Sequence, residues 1–185
     1  SADWIEVEAP LEKMQVSESW YHGRCVMRDG VYAGTLPPVT IQNRFAHVGV
    51  REDSLLPMAS RTACHKCQAR VRVIEIEDGQ LVTGEGEALL QVIGDRIVPD
   101  PETDVLAISV VNRYQDDALP ATAFVRGFGL KGGALASSVA HDSHNIIAVG
   151  SSAGAIARAI SRVADAGGGI VALADDGSEE YLPLP

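Results

Sequence analysis

The chain has 185 residues, 46% apolar and 5% aromatic, enough for one packed domain with a small appendage and a core of Val, Ile, Leu and Ala. Its 15 Lys and Arg against 25 Asp and Glu give a formal charge of −10, which excludes nucleic acid as a partner because phosphate binding needs clustered cations. No run of about 18 apolar residues occurs, which excludes a membrane-spanning helix. Three cysteines, an odd number, form no disulfide framework and point to a reducing cytoplasm. The start, Ser1-Ala-Asp-Trp-Ile-Glu-Val7, has neither the basic nor the apolar region of a secretory signal. It also lacks an initiator Met, so a segment of something longer is expected.

Residues 1–36 come first. Val16-Ser-Glu-Ser-Trp-Tyr-His-Gly-Arg-Cys-Val-Met-Arg-Asp-Gly30 holds two short apolar runs, broken at Gly23 and closed by Asp29-Gly30, which predicts a β-hairpin. Pro37-Pro38 marks a boundary, since proline donates no hydrogen bond and biases its neighbour to extended backbone. Residues 39–185 then alternate strands and turns. Arg70-Val-Arg-Val-Ile-Glu-Ile-Glu77 alternates with period two and ends at Asp78-Gly79. Leu89–Ile93 and Arg96–Val98 flank Gly94-Asp95 in the same way. Asp104-Val-Leu-Ala-Ile-Ser-Val-Val111 is nearly continuous in apolar residues, as a central strand is.

Gly133–Ala140 and Asn145–Val149 read as strands with a polar cluster at their junction. One helix is predicted over 153–166. Ser151 or Ser152 caps it, Ile156, Ile160 and Val163 form its apolar stripe, and Gly167 takes the left-handed C-terminal position. Gly168-Gly-Ile-Val-Ala-Leu-Ala174 returns as a strand and turns at Asp176-Gly177. Strand–helix–strand order requires a crossover, so the expected class is α+β: a mixed, mostly antiparallel sheet with one clear helix, preceded by a short β-hairpin segment.

The chemistry is concentrated in His141-Asp-Ser-His-Asn145, which crowds two imidazoles, a carboxylate, a hydroxyl and an amide into one junction. Imidazoles are the commonest metal ligands, and a carboxylate can orient one through its second nitrogen. A purely structural alternative is a turn in which Asp142 and Asn145 satisfy local backbone donors.

Cys64-His-Lys-Cys67 is a lone pair without the second pair that structural zinc requires, and these are read as incidental loop cysteines. The zinc deaminase signature, H-x-E with P-C-x-x-C, is excluded. Two residues after His22, His47, His65, His141 and His144 stand Arg24, Gly49, Cys67, Ser143 and Ile146, and Cys64 follows no proline. Gly127, Gly129, Gly132 and Gly133 do not form a phosphate-binding pattern and are expected at a strand bend or bulge. Arg113 and Arg126 flank the strands leading toward the cluster, and either could hold a carboxylate in a bidentate fork.

Phe124-Val-Arg-Gly-Phe-Gly-Leu-Lys131, followed by Gly133-Ala-Leu-Ala-Ser-Ser-Val-Ala-His-Asp-Ser-His-Asn-Ile-Ile147 and Gly150, resembles the C-terminal domain of prokaryotic adenine deaminases. These are metal-dependent hydrolases of the amidohydrolase superfamily. Residues 1–36 likewise resemble the end of the small β-domain of amidohydrolases, and 39–185 the C-terminal α+β domain. The resemblance implies a role in purine metabolism, converting adenine and water to hypoxanthine and ammonia, on a divalent metal such as manganese or iron. It places that metal on a barrel domain as partner, with adenine as substrate and a homo-oligomeric assembly.

The family's barrel carries a His-x-His pair, and this chain has none, so the segment alone is expected to be inactive. The resemblance puts His141, Asp142, His144 and Asn145 near the active site, as a loop completing or covering the metal site. His141 and His144 become candidate metal ligands, and Arg113, Arg126 and Ser143 candidate substrate contacts. Asn112-Arg-Tyr114 stands where relatives often have an Arg-His pair. The chain ends at Leu182-Pro-Leu-Pro185, where relatives run on, so truncation at both ends is expected. A non-catalytic structural or oligomerisation domain is the other expectation for such a segment.

Overall fold

The computed structural model describes residues 3–8, 10, 13, 15–35, 45, 50–60, 64–65 (backbone only), 67–115, 118–141 and 143–184. The chain divides into two compact units, Ser1–Ile41 and Gln42–Pro185. The predicted boundary at Pro37-Pro38 lies outside the described residues.

The first unit is an antiparallel meander of β1 (Trp4–Val7), β2 (Val16–Tyr21), β3 (Arg24–Arg28) and β4 (Val31–Tyr32). The predicted hairpin is there. Its turns carry paired positive φ, +50° and +73° at His22-Gly23 and +50° and +78° at Asp29-Gly30, the backbone that matches strand twist in two-residue turns. Trp4 stacks on Trp20 with centroids 5.0 Å apart.

The second unit is built on a sheet of ten described strands. These are β5 (Cys64–His65), β6 (Gln68–Glu75), β7 (Gly84–Ile93), β8 (Arg96–Ile97), β9 (Leu106–Val111), β10 (Ala121–Arg126), β11 (Ala134–Ser137), β12 (Ile146–Gly150), β13 (Ile170–Leu173) and β14 (Glu179–Leu182). Their order is β14-β13-β11-β12-β9-β10-β6-β7-β8, with β5 also on β6. Every pair is antiparallel except β10 with β6, so the sheet is mixed and mostly antiparallel, as expected. The apolar run at Asp104–Val111 becomes β9, flanked on both sides by β12 and β10.

The helix α1 (Ala153–Asp165) forms because both its ends are locally encoded. Ser152 Oγ accepts the Ala155 N–H at 3.2 Å from an extended N-cap. At the other end Gly168 N–H reaches Val163 O and Gly167 N–H reaches Ala164 O, with Gly167 at φ +73°, a Schellman closure. Ser152→Ala is therefore expected to lower stability by about 1 kcal/mol in denaturant unfolding, with an unchanged midpoint counting against the cap.

β12 and β13 each pair antiparallel with β11, so they run parallel to one another with β11 between them. α1 makes that crossover and packs on β11, β12 and β13. Its inner face, Ala155, Ile156, Ala159, Ile160 and Val163, is fully buried against Ala134, Ala136, Ala148 and Val171. A Cβ at Gly150 would lie 2.7 Å from Ile156 Cγ1, so only glycine lets the helix sit this close.

On β9 the same face carries Ser109, fully buried, whose hydroxyl donates to Leu55 O at 2.8 Å and pins the 3-10 turn Glu52–Leu55 to the sheet. Toward the β6 and β7 end, Ala69 and Val73 point into the core while Arg70 and Arg72 face out and ion-pair diagonally with Glu87 and Glu85. The alternation predicted over Arg70–Glu77 holds to Val73; beyond it Ile74 and Ile76 take the exposed face, and the strand ends at Glu75. Among the described residues no helix is long and apolar enough to cross a membrane.

Candidate functional site

β11 and β12 pair from Ala134↔Gly150 to Ser137↔Ile147, and the connection between them, residues 138–145, carries the polar cluster. The strand reading of Gly133–Ala140 is shortened at Ser138 for a visible reason. Ser138 turns inward, nearly buried, and exchanges backbone and hydroxyl hydrogen bonds with Gly169 in the α1–β13 connection at 3.0 and 2.9 Å. The base of the loop is therefore anchored.

Beyond it, the Ser143 N–H donates to His141 O and the His144 N–H to Ala140 O, both at 3.0 Å. His144 adopts a left-handed φ of +49°, a conformation His tolerates better than most residues. His141, Ser143 and His144 are exposed, and Asn145 is half-buried. Asp142 lies outside the described residues.

The β9–β12 register sets what surrounds the loop. Ile146 pairs with Val111, so the loop leaves the sheet beside Asn112-Arg113-Tyr114. The Tyr114 hydroxyl donates to Ser143 O at 3.2 Å, and the Tyr114 N–H is held by Asn112 Oδ1 at 2.8 Å. Arg113 is only 9% exposed, its guanidinium 4.7 Å from the Phe45 ring centre and 5.1 Å from that of Tyr114.

One sequence candidate is placed elsewhere. β10 runs antiparallel to β9 with Val125 opposite Leu106, so Arg126 stands at the far end from the loop, ion-paired to Glu75 at 2.6 Å. Arg113 stands at the same end of the sheet as His141, Ser143, His144 and Asn145, and Arg126 does not. Sequence reasoning missed Phe45 and Ser138, and noted Tyr114 only as standing at the family's Arg-His position. Phe45 carried no local signal, and Ser138 was hidden inside a run read as strand.

Backbone amides of the glycine-rich segment are engaged by carboxylates of the chain itself. Gly127 N–H and Gly129 N–H are taken by the Asp104 carboxylate at 2.9 and 2.8 Å, and Gly133 N–H by Asp175 at 2.8 Å. Gly133 has φ +78° with Leu173 O against any added Cβ, so these glycines mark a tight strand bend, as expected. Cys67 is exposed at φ +62°, and the Cys64 side chain lies outside the described residues. Among the described residues no group of three His, Cys, Asp or Glu is placed to hold a metal ion. Two exposed imidazoles alone do not satisfy the tetrahedral or octahedral demands of a divalent cation.

An α+β domain that backs a mixed sheet with one helix and presents an anchored, imidazole-bearing loop at one sheet end is the class of protein so defined. Residues 80–185 match the adenine deaminase C-terminal domain family. An adenine deaminase of Salinibacter ruber is 43% identical over all 185 residues, which cover 32% of that protein. One of Methanosarcina acetivorans is 38% identical over the whole chain, covering 33% of its own length. One of Archaeoglobus fulgidus reaches 47% over 116 residues, 63% of this chain and 20% of that protein. The chain belongs to the adenine deaminase C-terminal domain family, and it spans about a third of the length of the first two relatives.

Proposed function

We propose that this chain is the C-terminal portion of an adenine deaminase, hydrolysing adenine to hypoxanthine and ammonia, and that its His141–Asn145 loop borders the active site. The observation that carries this reading is the anchored loop itself. Ser138 and Tyr114 hold its backbone from beneath while His141, Ser143 and His144 stay exposed at its tip. A turn with only a structural task has no need to hold imidazoles outward.

Among the described residues none form a set that fits a divalent metal, so the manganese or iron of the family is assigned to the portion of the protein outside this chain, the amidohydrolase barrel. The loop's contribution is then hydrogen bonding and proton carriage at the purine, through the two imidazoles. Residues 1–36 are assigned to the small β-domain of that same enzyme, in the cytoplasm. A second role, as an assembly domain between subunits, draws support from Leu81, Val82, Leu89 and Ile93, all exposed along and beside the β6–β7 hairpin.

The purified 185-residue chain is expected to form no hypoxanthine from adenine, whereas the full-length protein forms it and loses that activity to a chelator. Chelator-sensitive hypoxanthine formation by the short chain, or none by the full-length protein, would contradict this assignment.

A further inference from the structure

We propose that Arg113 forms the floor of an oxyanion site at the root of the His141–Asn145 loop, and that its occupant is the carboxylate of an acidic peptide segment in the part of the protein outside this chain. This rests on the reading of the chain as one portion of a larger enzyme. Arg113 is nine-tenths buried, and its Nε lies inside the fold with no hydrogen-bond partner. A guanidinium cannot relieve burial by losing its proton, and a buried charge without a counter-charge is costly to hold. The chain is not short of carboxylates, since it carries 25 Asp and Glu, and Arg70, Arg72, Arg126 and Arg162 each pair with one. Among the described residues, the recorded neighbours of the Arg113 guanidinium are instead two aromatic rings, Phe45 and Tyr114.

The rings also specify the ligand. Aromatic faces stabilise and orient a guanidinium while supplying no hydrogen-bond acceptor of ordinary strength. They keep it in one orientation with its N–H fork unspent, and that fork matches a carboxylate bidentately. A second unsatisfied atom lies at the same strand end. Asn145 Oδ1 is buried without a partner, and the Ile146↔Val111 register sets Asn145 beside Asn112, the residue before Arg113. An acceptor needs a donor, which a free carboxylate or phosphate lacks. An incoming peptide brings both, a side-chain carboxylate for Arg113 and a backbone N–H for Asn145. About two thirds of each relative's own length lies outside the part this chain matches, and such a segment can come from there.

The test compares Arg113→Met in the 185-residue chain and in the full-length protein. In the short chain, removing an unpaired buried charge is expected to raise the melting temperature by roughly 2–4 °C, while in the full-length protein the same change lowers it by a similar amount. Arg113→Lys, which keeps the charge but not the fork, is expected to lower the full-length midpoint as well. A shift of the same sign in both proteins overturns the proposal. If the midpoint falls in the short chain, and Asp116→Asn, Asp117→Asn or Asp142→Asn lowers it equally, the partner is internal and the proposal fails. If acetate or inorganic phosphate stabilises the short chain but not its Arg113→Met variant, and the sign does not invert, a free small anion is the occupant and the peptide assignment fails. Hypoxanthine formation separates this site from the role of the loop. Inverted signs in the Arg113 variants, with normal turnover in full-length His141→Ala and His144→Ala, keep the oxyanion site and remove the loop's catalytic role. Lost turnover without inversion does the reverse.

Discussion

Replacing His141 or His144 by Ala in the full-length protein is expected to lower adenine turnover by roughly 10²–10⁴, the range a general acid or base contributes. The geometry predicts where that loss appears. The turn is closed by main-chain bonds from Ser143 to His141 and from His144 to Ala140, and steadied by the Tyr114 hydroxyl on Ser143 O. Those contacts use backbone atoms and survive truncation of the imidazoles. His144 has one complication, because Ala is strained at its φ of +49°. His144→Asn is the matched control, since Asn tolerates that backbone and lacks the imidazole. Depressed turnover in both His144 variants with a near-normal melting temperature in the Asn variant is the expected pattern. Normal turnover in the His141 and His144 variants alike, or a loss that only follows melting, would leave the loop a structural turn.

The largest effect on stability is expected at Ile160→Ala, about 2–5 kcal/mol, as for a deleted aliphatic side chain in a packed core. Ile160 is fully buried on the face of α1 that meets the sheet, between turns bearing Ile156 and Val163. The gap cannot close easily, because the sheet beneath offers Ala134, Ala136 and Ala148, and Gly150 already brings the helix to contact distance. Urea unfolding of the short chain measures this directly through the midpoint at constant slope. A loss below roughly 0.5 kcal/mol would mean that the stripe faces solvent.

What the sequence made legible was local. α1 could be read because Ser152, the Ile156–Ile160–Val163 spacing and Gly167 all lie within one helix length. The hairpin turns at His22-Gly23 and Asp29-Gly30 could be read because positive φ falls on residues suited to it. β9 was legible as a central strand, yet the one serine inside it, Ser109, proved to be the pin for a turn 54 residues earlier. No local pattern reports such a partner. β10 and its parallel pairing with β6 were not foreseen, because register between distant segments depends on the whole sheet. The same limit applied to the site. The density of polar residues in His141–Asn145 was visible, whereas the approach of Arg113 and Tyr114 followed from the β9–β12 register. Arg126, equally plausible on paper, was carried to the opposite end by the antiparallel run of β10.

The central claim is that the His141–Asn145 loop borders the purine site of the complete enzyme. Its most direct test is the rate at which the imidazoles of His141 and His144 in the full-length protein react with an acylating reagent, read by peptide mass, with and without saturating hypoxanthine. Both side chains are exposed in the chain described here, so reaction is expected in the free protein. Bound product is expected to slow modification at both positions, and modification is expected to abolish turnover. Equal rates with and without product, together with full turnover after both imidazoles are modified, would contradict the account.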